Sequence, residues 1–484
     1  MNDKYDVAII GAGIGGLVCG CYLAKAGLKV VIVEQHDIPG GYCSSFKRKN
    51  YEFDVGGHYF SGVKDGWLGM VFNELEIRNE IKFNQFNPTD KIVMPDNVIY
   101  IRNEIDETLG EFKKTFPREK RNLSRFFKFM LDKDFVSLYM KLKRLSFKEV
   151  LDSFFKDEKI KSTLEVLLGN IGLYAENAPA VSSTLLFRNF IFDPGWYPVG
   201  GVQVFPNTLV KLIEKYKGSV ILSKKVVKIL MEQDKAAGVI LDDGSTIRSK
   251  VVVSDADATQ TFQELLDNRD TRELKQMVGL ETSPSIFCVY LGLKKEFKNL
   301  IHSPANIWNF STYNIKECYG NLDKVISKKT KQQYVVCVFP FMHDKNLYDP
   351  TMEVFIAAPF KTIKFWDNYR DFLQEKLIDK TEEIIPNLRN YIELKFNATP
   401  QTLYRYTLNK NGAAYGWASS SRLIRRPVFM NKASVKNLYL TGHWCNGGLS
   451  QGGIPLVGIM GRTAARFILD DFGLKWKYKH NLLL

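Results

Sequence analysis

The chain has no uninterrupted apolar run near the ~18 residues that a membrane-spanning helix requires, so any membrane contact is expected to be peripheral. It has no CxxC pair. The seven cysteines are Cys19, Cys21, Cys43, Cys288, Cys318, Cys337 and Cys445, an odd number that argues against a disulfide framework. The Met-Asn-Asp-Lys start has none of the features of a signal peptide, and a reducing, cytoplasmic location is expected. Histidine is scarce, six in 484 residues. His36, His302 and His343 show no ligand spacing, so no metal is expected. Internal repeats, low-complexity segments and nucleic-acid motifs are absent as well.

What is there starts at once. Tyr5-Asp6-Val7-Ala8-Ile9-Ile10 is a Val/Ile-rich run that reads as a buried strand. It leads into Gly11-Ala12-Gly13-Ile14-Gly15-Gly16. Gly11 allows a tight turn, Gly13 lets the backbone approach a pyrophosphate, and Gly16 allows close helix–strand packing. A helix beginning near Ile14 points its unpaired N–H groups at the phosphates, with Gly15 in its first turn. Gly27 ends that helix. Residues 28–33 form the second strand, which delivers Glu34 where a carboxylate accepts hydrogen bonds from ribose hydroxyls. A second GxGxxG is missing, which argues against a separate nicotinamide domain.

At 484 residues, two domains are expected. One is assembled from three pieces, 1–95, 196–280 and 401–484. The apolar strands at 219–222, 226–230, 237–241 and 250–256, with a hairpin signal at Asp242-Asp243-Gly244-Ser245, belong to it. Insertions at 96–195 (helix-rich) and 281–400 (mixed) form the other. The fold class is therefore α/β: a Rossmann-like dinucleotide-binding domain with an inserted mixed α+β substrate domain.

Formal net charge is +14. Between Lys113 and Lys161 fifteen Lys/Arg face seven Asp/Glu, interleaved with Phe126, Phe127, Phe129, Phe135, Tyr139 and Phe147. Three readings stand: an anionic membrane surface, single-stranded nucleic acid, or amphipathic helices with a solvated lysine face. Without a nucleic-acid motif, the membrane ranks above nucleic acid. Trp476 and the terminal Leu482-Leu483-Leu484 are a weaker second candidate beside a frayed tail.

Near the other end, Asn437-Leu438-Tyr439-Leu440-Thr441-Gly442 is followed by Gly452-Gly453-Ile454-Pro455-Leu456-Val457-Gly458. With Pro39-Gly40-Gly41, Phe53-Asp54-Val55-Gly56-Gly57-His58-Tyr59, Pro198-Val199-Gly200-Gly201 and Gly412-Ala413-Ala414-Tyr415-Gly416, it makes a set in fixed order. That set resembles the FAD-dependent phytoene desaturase superfamily, in particular its carotenoid isomerase and retinol saturase branches, with a Rossmann-like FAD domain of the glutathione reductase/amine oxidase type. The resemblance departs at Tyr42, where the family often has arginine, and at Asn50 and Tyr51, where a glycine often precedes the Phe-Asp segment.

The resemblance implies bound FAD. Its contacts would be Gly11, Gly13, Ile14, Gly15, Gly16, Glu34, Gly40, Gly41, the Val226 backbone at adenine, Gly442, Gly453, Ile454 and Pro455. It implies a long hydrophobic polyene or isoprenoid taken from a membrane, and hydride exchange with flavin N5 in desaturation, cis–trans isomerisation or saturation. His58 is a candidate to orient substrate or move a proton, beside a structural role. Tyr415 is a candidate to pack on the flavin or donate a hydrogen bond, beside a core role. His443 and Cys445 follow the Thr-Gly turn. Two other functions stay open: a flavin amine oxidase with Tyr415 and Trp417 in an aromatic cage, and a non-catalytic prenyl-lipid escort protein. The electron partner is not readable.

Overall fold

The computed structural model describes residues 5–132, 134–344, 349–425, 429–445 and 453–478. Its first sheet is built on five parallel strands. Ser219–Ile221, Val30–Val33, Tyr5–Ile10, Thr246–Ser254 and Leu438–Leu440 lie side by side in that order. Every residue of Val30–Val33 is buried, as a strand covered on both faces requires. The strands come from three separated stretches, so chain start, middle and end share one sheet. The hairpin Val226–Glu232 and Lys235–Leu241 extends it antiparallel through the turn at 242–245.

Three helices pack together over one face: Ile14–Lys25, Val204–Lys215 and Ile454–Asp471. Ile14–Lys25 ends at Ala26 and Gly27, whose φ of 91° suits only glycine. The packing of its helix on Ile454–Asp471 depends on Gly461: a Cβ there would lie 2.4 Å from the Gly15 carbonyl oxygen.

The second sheet runs Ile392–Ala398, Ser285–Leu293, Thr351–Ala358, Tyr334–Val338, Asn306–Phe310, Asp90–Met94, Asn97–Ile101. All its pairings are antiparallel except Asn306–Phe310 with Asp90–Met94. This moves two boundaries. The hairpin 90–101 belongs to the second sheet, so the first piece stops short of residue 95. Its Ile92, Met94, Ile99 and Ile101 bury with the core of the second sheet. The helix Pro400–Thr407 packs on Ser285–Leu293 and Ile392–Ala398, so that layer also runs past residue 400.

Helices between Ile105 and Phe192 build the rest of this core. The basic, aromatic stretch resolves here in favour of solvated lysines. Phe126, Phe127 and Phe147 are at most 2% exposed, and Phe129 and Tyr139 pack on the same core. Burying each aromatic side chain is worth about 1.5–3 kcal/mol, so these rings hold the helices to the sheet and are not available to a bilayer. The Phe135 side chain lies outside the described residues. Trp476 is docked: its ring lies 5.5 Å from Tyr22 and 4.9 Å from the Arg462 guanidinium. Residues 482–484 lie outside the described residues. No helix among the described residues is long and apolar enough to cross a membrane.

Candidate flavin and substrate site

The site grows from the carboxyl ends of the parallel strands, where open α/β sheets hold ligands. Gly11 turns the chain at φ 93°. A Cβ on Gly16 would sit 2.4 Å from the Gly11 carbonyl oxygen, so helix and strand touch through glycine. Gly13 starts the helix Ile14–Lys25 with no side-chain cap, leaving an anion-attracting end.

Asp255, which directly follows Thr246–Ser254, is the residue that sequence reasoning missed. Its carboxyl lies behind the turn and accepts backbone N–H groups of Gly13 and Gly16. Cβ atoms on Gly13, Gly15 and Gly442 would fall 2.5, 2.6 and 2.3 Å from its oxygens. The available signal was position: an acid at the carboxyl end of a parallel strand beside the first one. Burial, with Glu34 nearby, pushes the Asp255 carboxyl up to about 8. It is therefore largely uncharged at neutral pH, and a phosphate at the same turn would not meet a full negative charge.

Glu34 is buried at the end of Val30–Val33 and accepts the Ala12 N–H at 2.8 Å and the His36 N–H at 3.0 Å. Val226 begins the strand Val226–Glu232, two residues after Lys224, whose N–H donates to the Glu34 carbonyl. Gly40 donates its N–H to Ala12, and a Cβ on Gly41 would lie 3.5 Å from Gly13 Cα. Gly453 precedes the helix Ile454–Asp471, which starts with Pro455 at its first turn and no side-chain cap. Ile454 reaches toward Gly57, where a Cβ would be 3.5 Å from its Cδ1. Gly452 lies outside the described residues.

These residues fit a flavin dinucleotide. The structure has two helix starts without side-chain caps, a glycine turn with partly exposed Gly11, Gly13 and Gly41, and the buried Glu34 carboxylate held beside that turn by Ala12. Thr441 Oγ1, beside Gly442, is buried without a hydrogen-bond partner among the described residues.

From Gly41 the contacts run on to the second sheet. Tyr42 donates its hydroxyl proton to the Ala413 carbonyl (3.0 Å), and Asn409 donates to Tyr42 (3.3 Å). The His443 ring is 6.0 Å from Tyr42, and burial holds it down at about 4, neutral at physiological pH. Tyr415 comes next and forms part of the wall of a small cavity of about 20 Å³ with Ile286, Trp308, Tyr319, Tyr334 and Phe355. None of the lining residues is charged.

The two candidate catalytic residues separate here. Tyr415 is on the cavity wall. His58 is one ring behind it, stacked on Phe355 at 4.7 Å, with Nδ1 3.0 Å from a Glu353 oxygen. Glu353 Oε1 also accepts the Asp54 N–H (3.0 Å), and Asp54 accepts hydroxyl protons from Tyr197 (2.6 Å) and Ser45 (2.8 Å). Burial and the Glu353 charge push the Asp54 carboxyl well above the usual carboxylate range. Trp417 is directed away from the cavity, onto Trp444 and Phe429. All seven cysteines are buried.

The family model for flavin containing amine oxidoreductases matches residues 14–469. The chain belongs to this family. It is therefore a flavin-dependent oxidoreductase. Its curated relatives are of the branch that the sequence motifs suggested. All-trans-retinol 13,14-reductase of Danio rerio is 24% identical over 91% of this chain and 82% of its own length. Prolycopene isomerase 1, chloroplastic, of an Oncidium hybrid cultivar is 26% identical over 98% and 85%. Among solved structures, an oxidoreductase from Methanosarcina mazei superposes with a TM-score of 0.67 at 18% identity, covering 95% of this chain and 100% of that one. That last likeness concerns the fold.

Proposed function

We propose that the flavin is FAD and that this family member acts on a long, hydrophobic polyene or isoprenoid, carotenoid-like or retinoid-like. The observation that carries the substrate class is the uncharged, aromatic character of the wall at Tyr415. Flat aromatic walls suit a conjugated chain. A cationic amine would find no carboxylate there, since Asp54, Asp90 and Glu353 lie behind the wall with partners of their own. The names of the relatives point to the same substrate class. The escort reading is disfavoured because the glycine trough, Glu34 and the Thr-Gly turn are all present.

Bound FAD would supply hydride exchange at its N5. The chain's own residues bind, orient and exclude water. Gly11 to Gly16, Glu34, Gly40, Gly41, Gly442 and Gly453 to Pro455 would hold the cofactor, with Val226 at the adenine end. Tyr415 holds the substrate face. His58 is a positioning residue in this scheme, acting through Phe355.

Such a substrate reaches the protein from a lipid phase. The helix Phe135–Leu142 exposes Val136 and Met140 beside Lys141 and Arg144. This small patch, rather than the buried phenylalanines, is the proposed contact with an anionic leaflet.

The test is product mass. Flavin-loaded protein is incubated with liposome-embedded cis and trans polyenes, with the flavin oxidised and then reduced. Loss of two hydrogens means desaturation, gain means saturation, and unchanged mass with altered retention means isomerisation. No turnover of any polyene overturns the reading.

A further inference from the structure

Tyr42 stands where the family often has arginine, and its partners lie near the other end of the chain. Its hydroxyl donates to the Ala413 carbonyl at 3.0 Å and accepts from Asn409 Nδ2 at 3.3 Å. A second tie joins the same two segments. Gln35 Nε2 donates to the Tyr406 carbonyl at 3.1 Å, and His36 donates its Nε2–H to the same oxygen. Gln35 and His36 directly follow Glu34, and Tyr42 directly follows Gly40-Gly41. Residues 35–42 and 406–413 therefore run side by side, fastened at both ends.

We infer that residues 406–413 form a strap that closes one edge of the FAD site, with Gln35, His36 and Tyr42 as its fastenings. The inference rests on the FAD reading above and adds a further piece to that site. The segment to which the strap is tied starts beside Glu34 and contains Gly40 and Gly41, so it carries the proposed cofactor contacts between its two fastenings. A tyrosine hydroxyl supplies a donor and an acceptor in one group, and the strap uses both. The departure at position 42 is thereby matched by a partner segment.

The strap is held in a shape that its own sequence does not favour. Leu408, Asn411 and Gly412 have φ of 56°, 57° and 58°. Left-handed backbone is uncommon outside glycine, and least suited to a bulky residue such as leucine. Such conformations persist where neighbours impose them, and ligand clamps are one such place. The neighbours here are specific. Asn409 Oδ1 accepts the Trp444 Nε1–H at 2.8 Å, and the Lys410 N–H donates to Asp257 at 2.6 Å. A Cβ on Gly412 would lie 2.4 Å from the Pro400 carbonyl oxygen. Asn409, Gly412 and Ala413 are buried, whereas Tyr404, Arg405 and Tyr406 are exposed. The Tyr42 end is therefore the anchored one, and the Gln35 end is the one that opens.

The experiment measures the rate at which FAD leaves the FAD-loaded protein after dilution, read by flavin fluorescence, and the hydrogen exchange of residues 404–413 with and without FAD. FAD release is expected to be about fivefold faster in Gln35→Ala and in Tyr42→Phe, the effect of one net hydrogen bond in each. Adding FAD to flavin-free wild type is expected to slow exchange at 404–408 by about tenfold. Gln35→Ala is expected to lose most of that protection while its flavin-free exchange matches wild type. A purely structural tie would instead speed exchange equally with and without FAD. Gln35 lies at the surface, so Gln35→Ala keeps the test decisive where Tyr42→Phe loses stability. Unchanged FAD release in Gln35→Ala, or exchange at 404–413 that does not respond to FAD, overturns the inference. Wild-type protein that binds no FAD overturns the FAD reading itself.

Discussion

Gly15 and Gly442 touch. A Cβ on Gly15 would lie 2.7 Å from the Gly442 amide nitrogen, and one on Gly442 would lie 2.3 Å from Asp255 Oδ1. The first and last motifs of the chain therefore form one surface, with Asp255 beneath both. Neither end can build the trough alone.

Asp255 should make stability depend on pH. Its folded value of about 8 stands above the ordinary 3.8. Its contribution is complete below the ordinary value and is lost as pH rises through the folded one. Asp54 contributes in the same sense. For the flavin-free protein, thermal stability is expected to fall less steeply between about pH 5 and about pH 8 in Asp255→Asn than in wild type. Parallel curves would show that Asp255 does not titrate in this window.

Glu34→Gln should lower affinity for the cofactor by roughly tenfold or more, because a charged acceptor for ribose is replaced by a neutral one. Fluorescence titration of the flavin-free protein reads this directly. An unchanged dissociation constant would remove Glu34 from the adenosine end.

The same fold shows which features a sequence exposes. The glycine turn was legible because a parallel strand buried on both faces needs an unbroken apolar run, and Val7 to Ile10 and Val30 to Val33 supply it. The basic stretch was ambiguous because lysine and phenylalanine alternate there at helical spacing, and only packing shows that Phe126 and Phe127 face inward. Asp255 was invisible as a lone acid. His58 was legible as a candidate but not as a group behind Phe355. That placement follows from the docking of Tyr51–Asp54 against Thr351–Ala358, far apart in sequence. The hairpin 90–101 was misassigned because its membership depends on its pairing with Asn306–Phe310.

Arg462 and Glu74 form a two-point ion pair at 2.7 and 2.8 Å, nearly inaccessible to solvent, with Tyr22 donating to the same carboxylate. Arg462→Ala would leave that carboxylate uncompensated. A loss of about 3–5 kcal/mol is expected in denaturant unfolding. A loss below about 1 kcal/mol would mean that the pair is solvated.

Met140→Glu places an acid in the proposed lipid contact. Co-sedimentation with phosphatidylserine liposomes should fall several-fold, with no change in melting temperature, since Met140 is 58% exposed. Equal sedimentation would move the membrane contact elsewhere.

The most direct measurement is the identity and amount of flavin carried by the purified protein and by Gly15→Ala and Gly442→Ala. Wild-type protein should release FAD in equimolar amount on heating. Both variants, checked for retained secondary structure, should release little, since each Cβ intrudes on the Asp255 carboxyl from a different end of the chain. Release of FMN, or of no flavin after reconstitution, or full occupancy in either variant, would contradict a flavin site built jointly by the two ends.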